Sequence, residues 1–200
     1  MILLLTFSGS VPALAETRSL LVLGDSLTAG YGLPLEQAFP AQLEAALKKK
    51  GHNIHVINAG ISGDTSAGGL ARLDWSLADQ PDIAIVELGA NDALRGLSPQ
   101  QTRENLGAIL SRLKKAHIPV ILAGMKAPRN LGEDYYNSFD QIYSALAEEF
   151  QVAFYPFFLE GVAGDPKLNQ SDGMHPNNAG VKVIVKRILP LVETLLKKTP

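Results

Sequence analysis

Leu20-Leu21-Val22-Leu23-Gly24-Asp25-Ser26-Leu27 joins four consecutive apolar residues to a glycine and two polar residues. An apolar run this short, without period-two alternation and stopped by glycine, reads as a strand buried on both faces. The pattern recurs along the chain. Ile54 to Ile57, Ile83 to Leu88, Val120 to Ala123 and Val152 to Tyr155 are further short apolar strands, the fourth introduced by Pro119. Between them lie segments of helical spacing. Phe39 to Lys50 puts Phe39, Leu43, Ala46 and Leu47 on one face and stops at Gly51. Ser66 to Leu77 carries Leu70, Leu73 and Leu77 in register. Pro99 to Ala116, Tyr135 to Phe150 and Asn178 to Lys197 complete the set, the last with Pro190 as a candidate kink.

Strands alternating with helices predict an α/β chain whose parallel sheet is covered on both faces. Right-handed crossovers then favour an open doubly wound sandwich, and five units are too few for a closed eightfold barrel. In such a sheet ligands bind beyond the carboxyl ends of the strands. No linker separates a second domain, so residues 16–200 are expected to form one.

The bulk properties agree. Two hundred residues suit a single domain that buries a sizeable core without a staple. A hydrophobic content of 46% with 19% charged residues is that of a globular chain. A formal net charge of −2 gives no electrostatic reason to expect a nucleic-acid partner. The absence of cysteine excludes disulfides, thiol nucleophiles and thiolate metal sites. At the start, Ile2 to Leu5 are apolar and Ala13-Leu14-Ala15 precedes Glu16. That is the form of a signal peptide over residues 1–15 with cleavage near Ala15, although no Lys or Arg precedes the apolar run. The expectation is a periplasmic or secreted protein without stable membrane insertion, since no later stretch is long and apolar enough to span a bilayer.

Four polar, glycine-containing turns would gather at one rim of a parallel sheet. They are Gly24-Asp25-Ser26-Leu27, Asn58 to Asp64, Gly89-Ala90-Asn91-Asp92 and Ser171 to Pro176. Ser26 directly follows a buried strand, which exposes its hydroxyl at that rim beside the N–H groups of a helical turn. A serine oxygen becomes a nucleophile when a base accepts its proton, and His175 is the natural base. Asp172 stands three residues earlier, with Gly173 allowing a sharp turn between them. An acid–x–x–His pair also suits a metal, but no third or fourth ligand has a matching spacing. Acyl transfer needs donors aimed at the developing oxyanion. The backbone N–H of Gly63, the amide of Asn91 and the N–H of Ser26 are the candidates. There is no G-x-S-x-G elbow, no G-x-G-x-x-G and no P-loop, so neither an ordinary α/β-hydrolase nor a nucleotide site is indicated.

The four blocks in this order resemble the GDSL/SGNH hydrolases. Within them the likeness is to the bacterial periplasmic thioesterase I/lysophospholipase L1/arylesterase group. It covers about Arg18 to Leu196, and the stretches Gly24 to Gly32 and Asn58 to Thr65 carry it most clearly. The resemblance implies a flavodoxin-like α/β/α sandwich and a serine esterase needing no cofactor or metal. It implies Ser26 as nucleophile, His175 as general base and acid, and Asp172 as the orienting carboxylate. It assigns the N–H groups of Ser26 and Gly63 and the Asn91 side chain to the oxyanion hole. The loop Ala93 to Ser98 matches a segment that helps cover the acyl chain. Leu97, Met125 and Pro128 are candidates to line a groove for a small-molecule ester or thioester, with core packing as the alternative. Aryl and short- to medium-chain esters rank first as substrates. A carbohydrate O-deacetylase is the rival within the class, and a non-catalytic binding module the rival outside it.

Overall fold

Leu20, Leu21, Val22 and Leu23 are all completely buried in the computed structural model, which describes residues 17–198. They form the middle of β1 (Arg18–Gly24). Burial on both faces is what an inner parallel strand requires, and each such leucine stabilises the fold by roughly 1.5–3 kcal/mol. The other strands are β2 (Ile54–Gly60), β3 (Ile83–Glu87), β4 (Val120–Ala123) and β5 (Ala153–Tyr155). All pairings are parallel, in the order β2-β1-β3-β4-β5. This is the flavodoxin-like doubly wound order, which reverses between β1 and β3.

Eight helices among the described residues connect and cover the sheet. They are α1 (Ser26–Ala29), α2 (Phe39–Lys49), α3 (Ser66–Ala71), α4 (Leu73–Ser76), α5 (Ala90–Leu94), α6 (Pro99–Lys115), α7 (Glu133–Phe150) and α8 (Asn178–Lys198). Helix α2 packs on α8, while α6 packs on α3 and α7. The two groups follow from right-handed crossovers that turn opposite ways from β1. The expected helix from Ser66 to Leu77 is broken at Arg72 into α3 and α4. Arg72 turns its guanidinium inward, donating to Asp64 Oδ2 at 2.6 Å and to the Gly24 carbonyl at 3.0 Å. Helix α8 runs through Pro190 as one element. The segment read as a signal peptide lies outside the described residues.

At the carboxyl end of the sheet, Gly24 pairs with Gly60 on one side and Glu87 on the other. A Cβ on Gly24 would lie 2.7 Å from Glu87 Oε2 and 2.8 Å from the Glu87 carbonyl oxygen, and would strike Thr28 Oγ1. The Glu87 carbonyl belongs to the sheet and cannot yield. Gly24→Ala is therefore expected to cost about 1–3 kcal/mol through overpacking, lowering Tm by roughly 3–10 °C in a domain of this size. Thermal unfolding by circular dichroism checks this, and an unchanged Tm would show that the turn has room to spare.

Candidate active site

Ser26 is the first residue of α1, and Asp25 is its N-cap. Asp25 Oδ1 accepts the N–H of Leu27 at 2.9 Å, which satisfies one of the donors a helix start leaves unpaired. The four-residue helix ends at Gly30 in the left-handed conformation, where the Tyr31 N–H donates back to the Ser26 carbonyl at 3.2 Å. Two tight caps thus fix the Ser26 side chain at the rim of the central strand.

His175 arrives on the loop before α8. An isolated antiparallel bridge between Asn169 and Pro176 closes this loop, and Gly173 turns it at φ +69°. Gln170 ties it across the site: its Nε2 donates to the Tyr31 carbonyl at 2.7 Å and to the Pro176 carbonyl at 3.0 Å. The Tyr31 ring lies 4.5 Å from the imidazole, tilted by 36°. Asp172 Oδ1 accepts the N–H groups of Met174 and His175 at 2.9 and 3.0 Å, which leaves Oδ2 free to meet His175 Nδ1 at 2.7 Å. The His175 N–H, then the Met174 N–H, then the imidazole hold the Asp172 carboxyl down at about 2. Asp172 is therefore ionised, and Nδ1 carries the proton it donates. Nε2 is left as an acceptor, and it stands 2.9 Å from Ser26 Oγ. The three residues singled out from the sequence form one continuous chain of hydrogen bonds.

Gly63 and Asn91 line the same cavity as Ser26 and His175. Gly63 has φ +87°, a conformation that favours glycine, and Arg95 Nη2 holds its carbonyl at 2.8 Å. The Asn91 amide does not point freely into the cavity. Its Nδ2 donates to Asp25 Oδ2 at 3.0 Å and to the Asp64 carbonyl at 2.9 Å. The Asp64 carbonyl can only accept, so this orientation of the amide is fixed chemically. Both Asn91 hydrogens are thus engaged in the resting site, which the sequence did not foretell.

Asp92 anchors the turn beneath. It is buried, and it accepts the Ser66 N–H at 2.8 Å, the Ser66 hydroxyl at 2.5 Å and the Thr102 hydroxyl at 3.2 Å. One carboxylate thereby joins the starts of α3, α5 and α6. The cavity has a volume of about 840 Å³ and continues past Met125, Pro128, Phe157 and Leu159. Met125 and Pro128 line it as expected of a groove. Leu97 does not line it, whereas Leu94 does; the Leu97 carbonyl accepts the Tyr135 hydroxyl at 2.8 Å. Among the described residues, no group of three or more His, Cys, Asp or Glu side chains could hold a metal ion.

The profile of the GDSL-like lipase/acylhydrolase family matches residues 22–183. The chain belongs to this family. It is 44% identical to the thioesterase 1/protease 1/lysophospholipase L1 of Escherichia coli K12, covering 96% of this chain and 90% of that one. It is 46% identical to an arylesterase of Vibrio mimicus over 80% of each. Among solved structures, AlinE4, an SGNH-hydrolase family esterase, superposes with a TM-score of 0.77 at 49% identity, covering 91% of this chain and 98% of that one. Within this lipase/acylhydrolase scaffold, Arg72 and Glu87 carry structure around Gly24 and Asp25 that no motif of the sequence marks. Asp25 lies in the same turn as Ser26, where it caps α1 and also accepts from Asn91.

Proposed function

We propose that this family member hydrolyses carboxylic esters through an acyl-enzyme on Ser26, with His175 as general base and acid and Asp172 as the carboxylate that orients it. The observation that carries the reading is the relay Ser26 Oγ–His175 Nε2–His175 Nδ1–Asp172 Oδ2, with steps of 2.9 and 2.7 Å. Ser26 Oγ attacks the ester carbonyl carbon as its proton passes to Nε2. The carbonyl oxygen becomes an oxyanion near the N–H groups of Ser26 and Gly63, which no acceptor among the described residues engages. Asn91 is the third donor of this hole, on exchange of one of its resting partners. Imidazolium then protonates the leaving alkoxide or phenoxide, the C–O bond breaks, and water repeats the sequence on the acyl-enzyme.

The lining of Met125, Pro128, Phe157 and Leu159 supports an acyl group that is aliphatic or aromatic rather than a sugar-borne acetate. The ester-, thioester- and lysophospholipid-cleaving names of the relatives agree with a small-molecule acyl substrate. Residues 1–15 have the composition of an export signal, so the proposed site of action is outside the cytoplasm; N-terminal sequencing of mature protein beginning at Glu16 would bear this out.

Hydrolysis of p-nitrophenyl esters from acetate to palmitate tests the reading. Turnover with an optimum at intermediate chain length is expected, and folded protein inert on every ester would overturn it. Met125→Trp, which fills the cavity, is expected to lower kcat/KM for octanoate about tenfold and leave acetate within about twofold. Equal losses on both esters would place Met125 outside the acyl site. Asp172, held at about 2, stays ionised across the pH range of the assay.

A further inference from the structure

Beneath Ser26 lies a pair of carboxyl groups that the acyl-transfer steps above do not use. Asp25 and Glu87 are both completely buried. The strand register sets Glu87 beside Gly24, and the Asp25 N–H donates to Glu87 Oε2 at 3.3 Å. Both Asp25 side-chain oxygens accept hydrogen bonds, Oδ1 from Leu27 N–H and Oδ2 from Asn91 Nδ2. That is the behaviour of a carboxylate. Glu87 is the opposite case: its Oε1 is buried without a hydrogen-bond partner. Ionised, Glu87 would be a buried charge with one oxygen unpaired; protonation removes the charge and leaves only a neutral polar atom unpaired, at a smaller cost.

We propose, building on the Ser26–His175–Asp172 reading, that Asp25, with its buried partner Glu87, is the positioning element of the oxyanion site. The Asp25 carboxylate grips one N–H of Asn91 so that the other can pass from the Asp64 carbonyl to the substrate oxygen. A charged acceptor holds its donor more strongly than a neutral carbonyl does. The Asp25 bond is therefore the one kept, and the Asp64 bond the one exchanged. The oxyanion, once formed, outcompetes the Asp64 carbonyl for the same reason. The gain arises only as charge develops, so it belongs to kcat rather than KM. Burial pushes Asp25 up to about 6, against the opposing pull of the Leu27 N–H, Asn91, the charge of His175 and the Glu87 side chain. Burial first, then the Asp25 charge, drives Glu87 well above the carboxylate range. At neutral pH the pair holds one proton, and Glu87 carries it.

Steady-state kinetics on p-nitrophenyl butyrate with Asp25→Asn, Glu87→Gln, Asn91→Ala and the Asp25→Asn/Asn91→Ala double variant test the assignment. Asparagine at 25 keeps one acceptor oxygen where two are needed. Asp25→Asn is expected to lower kcat by about 30- to 100-fold with KM within about threefold. Once Asn91 is alanine, the same change should cost less than about threefold, because the two residues act as a unit. Glu87→Gln keeps a neutral side chain that can donate, and should retain kcat within about fivefold. An Asp25→Asn penalty undiminished in the Asn91→Ala background would overturn the positioning role, and Glu87→Gln falling as far as Asp25→Asn would overturn the part given to neutral Glu87. Carboxyl ¹³C NMR of the wild-type protein at neutral pH supplies a readout independent of folding of the variants. It should find Glu87 in the acid form and Asp25 ionised, and both ionised would contradict the pair. An active Ser26→Ala variant would defeat the underlying triad reading instead, and would leave the NMR result standing.

Discussion

Ser26→Ala is expected to lose about 100,000-fold in kcat on any ester the wild type cleaves, while keeping its Tm. The size of the loss follows from removing the atom proposed to form the acyl-enzyme bond. Ser26 Oγ is the oxygen that meets His175 Nε2, at 2.9 Å. The fold should not notice. The cap that starts α1 belongs to Asp25 Oδ1, and the bond that closes the helix uses the Ser26 carbonyl, both of which alanine retains. Residual activity would come from the oxyanion donors and binding alone. Wild-type turnover in the variant would remove Ser26 from the reaction.

Asp172→Asn should be nearly as damaging, by a route the loop geometry makes specific. Oδ1 of Asp172 is committed to the N–H groups of Met174 and His175. An asparagine must keep its oxygen there, since an amide nitrogen cannot accept two donors. Its NH₂ is then forced toward His175 Nδ1 and turns that nitrogen into an acceptor. The imidazole proton moves to Nε2, where it blocks the Ser26 hydroxyl. The expected loss in kcat is about 1,000- to 10,000-fold, as for the wrong tautomer in other serine triads, with KM within about threefold. Water has some access, because the Asp172 side chain is 39% exposed, which favours the lower figure. A loss below about tenfold would mean that His175 chooses its tautomer without Asp172.

Much of this arrangement is legible in the sequence, for definite reasons. Five short apolar runs become five parallel strands; β1, β3 and β4 lie inside the sheet and are buried almost throughout, while the edge strands β2 and β5 are only partly buried. Ser26, Asp172 and His175 are legible because each sits in a polar turn at a strand end or before the last helix, where a parallel sheet gathers such turns. What escapes the sequence is short or long-range. Helices α1 and α5 span four and five residues and carry no helical period. The break at Arg72 depends on partners at Gly24 and Asp64, which no local pattern contains. Leu94 rather than Leu97 lines the cavity, a choice within one short loop that no local pattern decides. Glu87 reads as the polar exception in an apolar strand, and only the strand register places it against Asp25. The same holds for the Asn91 amide, whose residue is visible in its motif while its two acceptors are supplied by distant turns.

Ser26 is proposed as the nucleophile of a serine esterase. The most direct measurement is peptide mass spectrometry of the protein after reaction with a fluorophosphonate, which forms a stable adduct only with an activated serine. One phosphonyl group on Ser26, appearing in step with loss of esterase activity, is the predicted result. Loss of activity with the adduct on another residue, or full esterase activity with Ser26 quantitatively labelled, would contradict it.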